Sequence, residues 1–205
     1  MSFFQNTCKP EGFWGARMVE LMNAGHTFVS AWGLSHLELP TDAACLDIGC
    51  GGGVNVKRLL KKSPRGTVVG IDYSEVSVEK SKRCNRAAIH AQRCQILHGN
   101  VMALPFSDAA FDAATAFETI YFWPDLAQAF AQVQRVLKPG GIFLLCNEMD
   151  GEHPGDDIWT HKIHGMKLYT APQLQTLLES AGFIDVQTDK NKSGWLCMTC
   201  RKPQA

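Results

Sequence analysis

The sequence predicts an α/β chain: a doubly wound, mostly parallel seven-stranded sheet with a C-terminal antiparallel hairpin and an N-terminal helical lid. Three observations carry this. Short apolar runs alternate with helical patterns between residues 44 and 148. The first run leads straight into a glycine-dense stretch, CLDIGCGGG, at 45–53. Two further strand-like runs close the chain, near 184–190 and 194–201. Strands before residue 150 are apolar on both faces, as in a parallel sheet covered on both sides. Ligands in such sheets sit beyond the carboxyl ends of the strands, where the winding reverses.

Each element follows from its residues. Residues 12–37 read as helical, with Phe13, Met18, Leu21, Met22, Phe28, Val29 and Trp32 on one side and Gly25 or Gly33 as a point of interruption. ACLDIG (44–49) is the first strand, and 53–62 the helix after it. TVVGIDY (67–73) is the second strand, and Ser74 then caps a helix running to about 88. QILHGN (95–100) and FDAATAFE (111–118) are the third and fourth. Asp125 and Gln128 have capping-box spacing, and Leu126, Phe130, Val133 and Leu137 recur at helical intervals. KPGG (138–141) stops that helix before the fifth strand, IFLLCNE (142–148). Thr170 with Gln173 opens another helix and Gly182 ends it. The final two strands pair as a hairpin. A single domain over 1–205 is expected, with 1–40 as the lid and 41–205 as the core.

Composition narrows the function. Lys+Arg and Asp+Glu are both 20, for a formal net charge of zero. That disfavours a protein that grips nucleic acid by neutralising phosphates, and no DNA partner is expected. Lys57, Arg58, Lys61, Lys62 and Arg65 read as the wet face of one helix. The opening MSFFQNTCKPEGFW has no basic start followed by an apolar run, and no stretch of about 18 apolar residues occurs. The expectation is therefore a cytoplasmic protein with no membrane partner. The eight cysteines fit a reducing compartment, with Cys45 and Cys146 acting as small hydrophobes inside strands. Cys197 and Cys200, three apart on a strand, point to opposite faces, and zinc would need a second such pair.

The glycines need a ligand that approaches bare backbone at the mouth of a helix. Dinucleotide binding and S-adenosylmethionine binding both use such a loop. The dinucleotide fingerprint G-x-G-x-x-G fails, because its sixth position falls on Val54 or Val56. What stands here is Asp47-x-Gly49-x-Gly51-x-Gly53, led by an acid that repels a pyrophosphate and not an ammonium group. Asp72 follows at the end of the second strand, where a carboxylate can accept ribose hydroxyls. GNVMALPFSDAAFD (99–112) and RVLKPGGIFLL (135–145) complete the set.

From about residue 43 to 147 the chain resembles the Rossmann-like class I S-adenosylmethionine-dependent methyltransferases. The resemblance implies S-adenosylmethionine as cofactor, leaving as S-adenosylhomocysteine. It implies that Asp47, Gly49, Gly51 and Gly53 wrap the methionine part, and that Asp72 holds the ribose with Tyr73 beside it. Asn100 stands where the family commonly has aspartate; its carbonyl can accept the adenine amino hydrogen, and Val101 offers its N–H to the ring. Phe117 opens the segment that flanks the cofactor.

Past the fourth strand the chain reads FETIYFWPD (117–125), placing Phe117, Tyr121, Phe122 and Trp123 beside the expected methyl. Aromatic faces attract a sulfonium or a cationic acceptor. The segment lacks the [DNS]-P-P-[FYW] of DNA amino-methyltransferases, the chain has no Pro-Cys nucleophile, and Glu118 alone is not the glutamate pair of arginine methyltransferases. Asn147, Glu148 and Asp150 do not make a convergent magnesium site, and no metal is expected. Residues 12–37 resemble the opening of a bacterial subgroup of these enzymes; His26, a polar group on this otherwise apolar helix, and Tyr121, beside the expected methyl, are the catalytic candidates. The insert 149–170 carries His153, Trp159, His161, His164 and Tyr169 and is placed to shape an acceptor pocket. A small-molecule acceptor is expected; a protein or RNA acceptor, or cofactor binding without turnover, are the alternatives. A homodimer is compatible with the sequence.

Overall fold

The computed structural model describes residues 7–204 apart from the side chains of 22–24, so the readings of Met22 and Asn23 lie outside the described residues. Seven strands form one sheet: β1 (Ala44–Ile48), β2 (Thr67–Asp72), β3 (Cys94–His98), β4 (Phe111–Phe117), β5 (Leu137–Asn147), β6 (Ile184–Lys190) and β7 (Leu196–Arg201). Their order is β3-β2-β1-β4-β5-β7-β6. Pairs among β1 to β5 are parallel, while β7 runs antiparallel to both β5 and β6. The winding reverses between β1 and β4, and the site opens there.

The helices are α1 (Gly12–Gly25), α2 (Thr27–Ser35), α3 (Val54–Lys62), α4 (Glu75–Cys84), α5 (Arg86–His90), α6 (Leu126–Val136), α7 (Asp157–Lys162) and α8 (Ala171–Ser180). Apolar residues of α2, α3 and α4, including Val29, Leu59 and Val78, pack with Cys45, Val68 and Cys146 on one face of the sheet. Phe130 of α6 and Leu174 of α8 pack with Ile48, Phe143 and Met198 on the other. Each such fully buried side chain stabilises the fold by about 2–3 kcal/mol through burial alone. The caps act where their sequence signals stand. Ser74 accepts from the Ser77 N–H, Asp125 accepts from the Gln128 N–H at 3.0 Å, and Thr170 and Gln173 form a capping box. Cys197 and Cys200 face opposite cores, as their spacing requires.

One reading is borne out at the first of its two alternatives, and three local readings are corrected. The helix over 12–37 breaks at His26, after Gly25, while Gly33 stays helical. There a side chain would meet Cys146 Sγ at 2.6 Å and Phe117 at 2.8 Å, so glycine lets α2 lie directly on the sheet. The apolar stripe of this region is only partly used: Met18 and Val29 are buried, but Phe13, Leu21 and Phe28 are 70%, 58% and 74% exposed. The helix after Ser74 ends at Cys84, because the Asn85 amide turns to the carbonyls of Gly53 and Ser81 and a separate short helix follows. KPGG does not sit outside the fifth strand. Lys138 binds the Asp112 carboxylate, Gly140 donates to the Lys202 carbonyl, and the strand starts at Leu137 with a register shift opposite Phe111 and Ala113.

Candidate active site

The glycine loop joins β1 to α3. Gly49 and Cys50 both donate their N–H to the Ile71 carbonyl, at 2.8 and 3.1 Å, which ties the loop to the tip of β2. The three glycines then serve different ends. Gly49 has φ of +71°, and a Cβ there would strike the Thr119 hydroxyl. Gly51 has φ of +50° and faces open space in the cavity, where a ligand can meet its backbone. Gly53 is outside the cavity lining; a Cβ there would strike Ser81 and Asn85, so it lets α3 pack on α4.

Asp72 is buried at the end of β2. One oxygen accepts from the Gly51 N–H at 2.8 Å and the other from the Ser74 N–H at 2.9 Å. Burial pushes its pKa up, and the two backbone donors oppose that shift. Asp72 is the shared wall of two hollows. The larger, about 580 Å³, runs from Gly49–Gly52 past Phe117 to Trp159 and Trp195. The smaller, about 80 Å³, holds Gly99, Asn100 and Val101. Tyr73 lines both, and its hydroxyl donates to the Cys8 carbonyl, drawing the N-terminal segment over the site. Ser74 adds a bond to the Pro10 carbonyl at 2.7 Å. The Asn100 carbonyl already accepts from the Met102 N–H at 3.0 Å, which leaves it one lone pair.

Asp47 sits behind the loop rather than in the cavity wall. One oxygen accepts from the Thr115 hydroxyl at 2.7 Å and the other has no partner. Burial raises its pKa to about 7, with the Asp72 charge adding to the shift. The acid of the motif is thus turned toward β4.

The far end of the cavity brings together residues distant in sequence. His26, at the break between α1 and α2, lies 3.8 Å through Nε2 from a Glu148 carboxylate oxygen. Glu118, one residue past β4 and with φ of +56°, accepts from the Glu148 backbone N–H. The ligating atoms of His26, Glu118 and Glu148 all lie within 4.8 Å of one another. Tyr121 is buried beside them; its hydroxyl accepts from the Met149 N–H at 3.1 Å and donates to the Met149 carbonyl at 3.5 Å. Burial, then the Glu148 charge, pushes the Glu118 carboxyl well above the usual carboxylate range, and burial holds His26 below the ordinary imidazole value. A neutral imidazole in this position can take a proton.

Sequence reasoning placed Phe117, Tyr121 and His26 here but weighed Glu118 and Glu148 only as single acids. A signal was present: Phe117 pairs with Cys146 across adjacent parallel strands, so both acids leave the sheet at the same edge. Arg58 was read as solvent-facing; it lines the cavity and donates to the Thr27 carbonyl at 3.3 Å. The insert supplies Met149, Trp159, Ile163 and Met166 to the cavity wall. Its histidines point elsewhere: His153 packs on Gly194, and His161 bonds the Asp157 carbonyl at 2.8 Å.

Residues 46–145 match the family described as methyltransferase domain. The chain belongs to the class I S-adenosylmethionine-dependent methyltransferases, and the doubly wound sheet with its antiparallel end is the fold of that class. It is 36% identical over 142 residues to a protein of Mycolicibacterium smegmatis named "Probable S-adenosylmethionine-dependent methyltransferase", covering 67% of this chain and 51% of that one. It is 39% identical over 99 residues to 24-methylenesterol C-methyltransferase 2 of Oryza sativa subsp. japonica, covering 48% of this chain and 27% of that one. The chain thus spans between about a quarter and a half of these relatives' length. Among solved structures, a chain from the complex of the Haloferax volcanii Trm112 methyltransferase activator with a methyltransferase superposes with a TM-score of 0.82. That match is at 20% identity and covers 91% of this chain and 94% of the other. No helix among the described residues is long and apolar enough to cross a membrane.

Proposed function

We propose that this chain transfers a methyl group from S-adenosylmethionine to a small molecule held in the 580 Å³ cavity. One observation carries the reading: a buried carboxylate, Asp72, forms the common wall of two hollows and is braced by the N–H of a glycine with open space before it. A nucleoside fits that division, with its base in the smaller hollow and its ribose at Asp72. In this reading Asn100 and Val101 meet the adenine, Gly49 and Gly51 bring backbone to the methionine part, and Phe117 and Tyr73 close the sides. Asp47 supports the loop from behind through Thr115. When bound, the cofactor supplies an electrophilic methyl on a sulfonium. The chain's task is to orient the acceptor and exclude water, which can supply much of the rate. His26 would accept a proton, and Tyr121 anchors the Met149 backbone beside Glu118. Residues 1–40 act as a lid on a single domain.

The sterol enzymes do not transfer their acceptor to this chain, which covers only 27% of 24-methylenesterol C-methyltransferase 2. Isothermal titration with S-adenosylhomocysteine tests the reading. Binding in the micromolar range is expected, and no heat at high micromolar ligand would overturn it. A labelled-methyl assay against a metabolite extract then reads out which compound gains mass.

A further inference from the structure

The far end of the cavity holds more information about the acceptor. We propose that it takes a cationic nitrogen compound, an amine, whose N–H groups are received by Glu118, Glu148 and His26. This rests on the methyltransferase reading and names the acceptor class it leaves open.

Geometry comes first. Three acceptors each about 2.8 Å from one tetrahedral nitrogen stand about 4.6 Å apart. The three side chains offer atoms all within 4.8 Å of one another, with 3.8 Å between His26 Nε2 and the nearer Glu148 oxygen. A zinc ion draws its nitrogen and oxygen ligands to about 2.1 Å, which sets them only about 3.4 Å apart. The one measured separation, 3.8 Å, falls between these two spacings, so the charge around the site decides between them.

Charge points to the ammonium. Two carboxylates face one end of a cavity whose wall also carries Met18, Phe122, Ile163 and Trp195. Arg58 is the one lysine or arginine in the lining, and its guanidinium bonds Asn55 and the Thr27 carbonyl. Neighbouring buried carboxylates repel, and a cation between them relieves the repulsion. A phenolate, thiolate or carboxylate acceptor would add a third negative charge. The Glu148 charge adds to burial in raising the Glu118 carboxyl, as expected of two acids that share one site.

The chemistry balances. The amine arrives as an ammonium, gives one proton to the neutral His26 imidazole, and keeps its remaining N–H groups on the glutamates. The nitrogen lone pair forms the N–C bond as the sulfonium C–S bond breaks, and that electron pair stays on sulfur. The products are a methylated ammonium, whose charge the glutamates match, and a neutral thioether. The proton on His26 leaves to solvent. The glutamates meet positive charge as it develops on nitrogen, where fixed negative groups lower a barrier most.

The test uses matched probes on the full chain saturated with S-adenosylhomocysteine: phenethylamine, tryptamine and hexylamine, each against the alcohol and the carboxylic acid of the same stem. Calorimetry should show at least one amine binding tenfold or more tighter than its alcohol, and no heat from the acids. Glu118→Gln and Glu148→Gln should each weaken that amine at least tenfold, with S-adenosylhomocysteine affinity and circular dichroism unchanged. Alcohols or acids that match every amine would overturn the proposal, as would variants that leave the amine's affinity intact. Stoichiometric Zn²⁺ or Mn²⁺ binding lost in the same variants would also overturn it, in favour of a metal site. Loss of S-adenosylhomocysteine binding by the unmodified chain would instead defeat the methyltransferase reading itself.

Discussion

The proposed cofactor end and the proposed acceptor end of the cavity draw on different lengths of chain. The first is built from 47–53, 72–73 and 99–101, three short segments that follow successive parallel strands. The second takes His26 from between two helices, Glu118 from the end of β4, Glu148 from the end of β5 and Trp159 from α7. A pocket made of loops after neighbouring strands is written in local motifs. A pocket roofed by distant elements is written in tertiary contacts, and one fold can change it without disturbing the other.

Substitutions can break or sharpen this contrast. Gly49→Val should have the largest effect. It demands positive φ from a β-branched residue and drives a side chain into Thr119, which contacts both ends. A loss of about 3 kcal/mol or more is expected in chemical unfolding. An unchanged midpoint would show that the loop relaxes freely. Asp72→Ala should weaken S-adenosylhomocysteine binding by more than tenfold, or about 1.4 kcal/mol, whereas Glu148→Gln should leave it within twofold and cut methyl transfer. If both variants behave alike in calorimetry, the two ends are not separable.

Asp47→Asn gives a pH-dependent effect on stability. The folded pKa of Asp47 rises from its usual 3.8 to about 7, so the folded state holds its proton more tightly than the unfolded chain. Stability contributed by that proton is therefore present at low pH and lost as pH climbs through this window. Asparagine can keep the Thr115 bond without ionising. Relative to the native chain, the variant should gain about 3–4 kcal/mol in thermal unfolding between pH 4 and pH 7.5. A flat difference would mean that Asp47 ionises without penalty. The smallest effect belongs to Thr170→Ala. It removes the capping box of α8, far from both ends, and should lower stability by about 1 kcal/mol with ligand affinities unchanged.

Much of the sheet was legible in the sequence because each parallel strand is a short apolar run with a helix behind it. Ser74, Asp125 and Thr170 announced their helices through side-chain chemistry that acts within three residues. Errors arose where distant partners decide. KPGG reads as a stop, yet Asp112 and Lys202 recruit it into β5. Gly33 reads as a breaker, yet Cys146 and Phe117, more than eighty residues away, fill the space its side chain would occupy. The spacing brought out Gly49, Gly51 and Asp72, which line the cavity. It did not bring out the meeting of Glu118 with Glu148, which needs the β4–β5 register as well as the two letters.

The bare contact at Gly33 ties acceptor handling to the roof. With no atom to spare between α2 and Cys146, an alanine there would lift the helix, and His26 at its start would be carried away from Glu148. One added methyl group, placed where no substrate reaches, would then blunt proton removal while the nucleoside still docked.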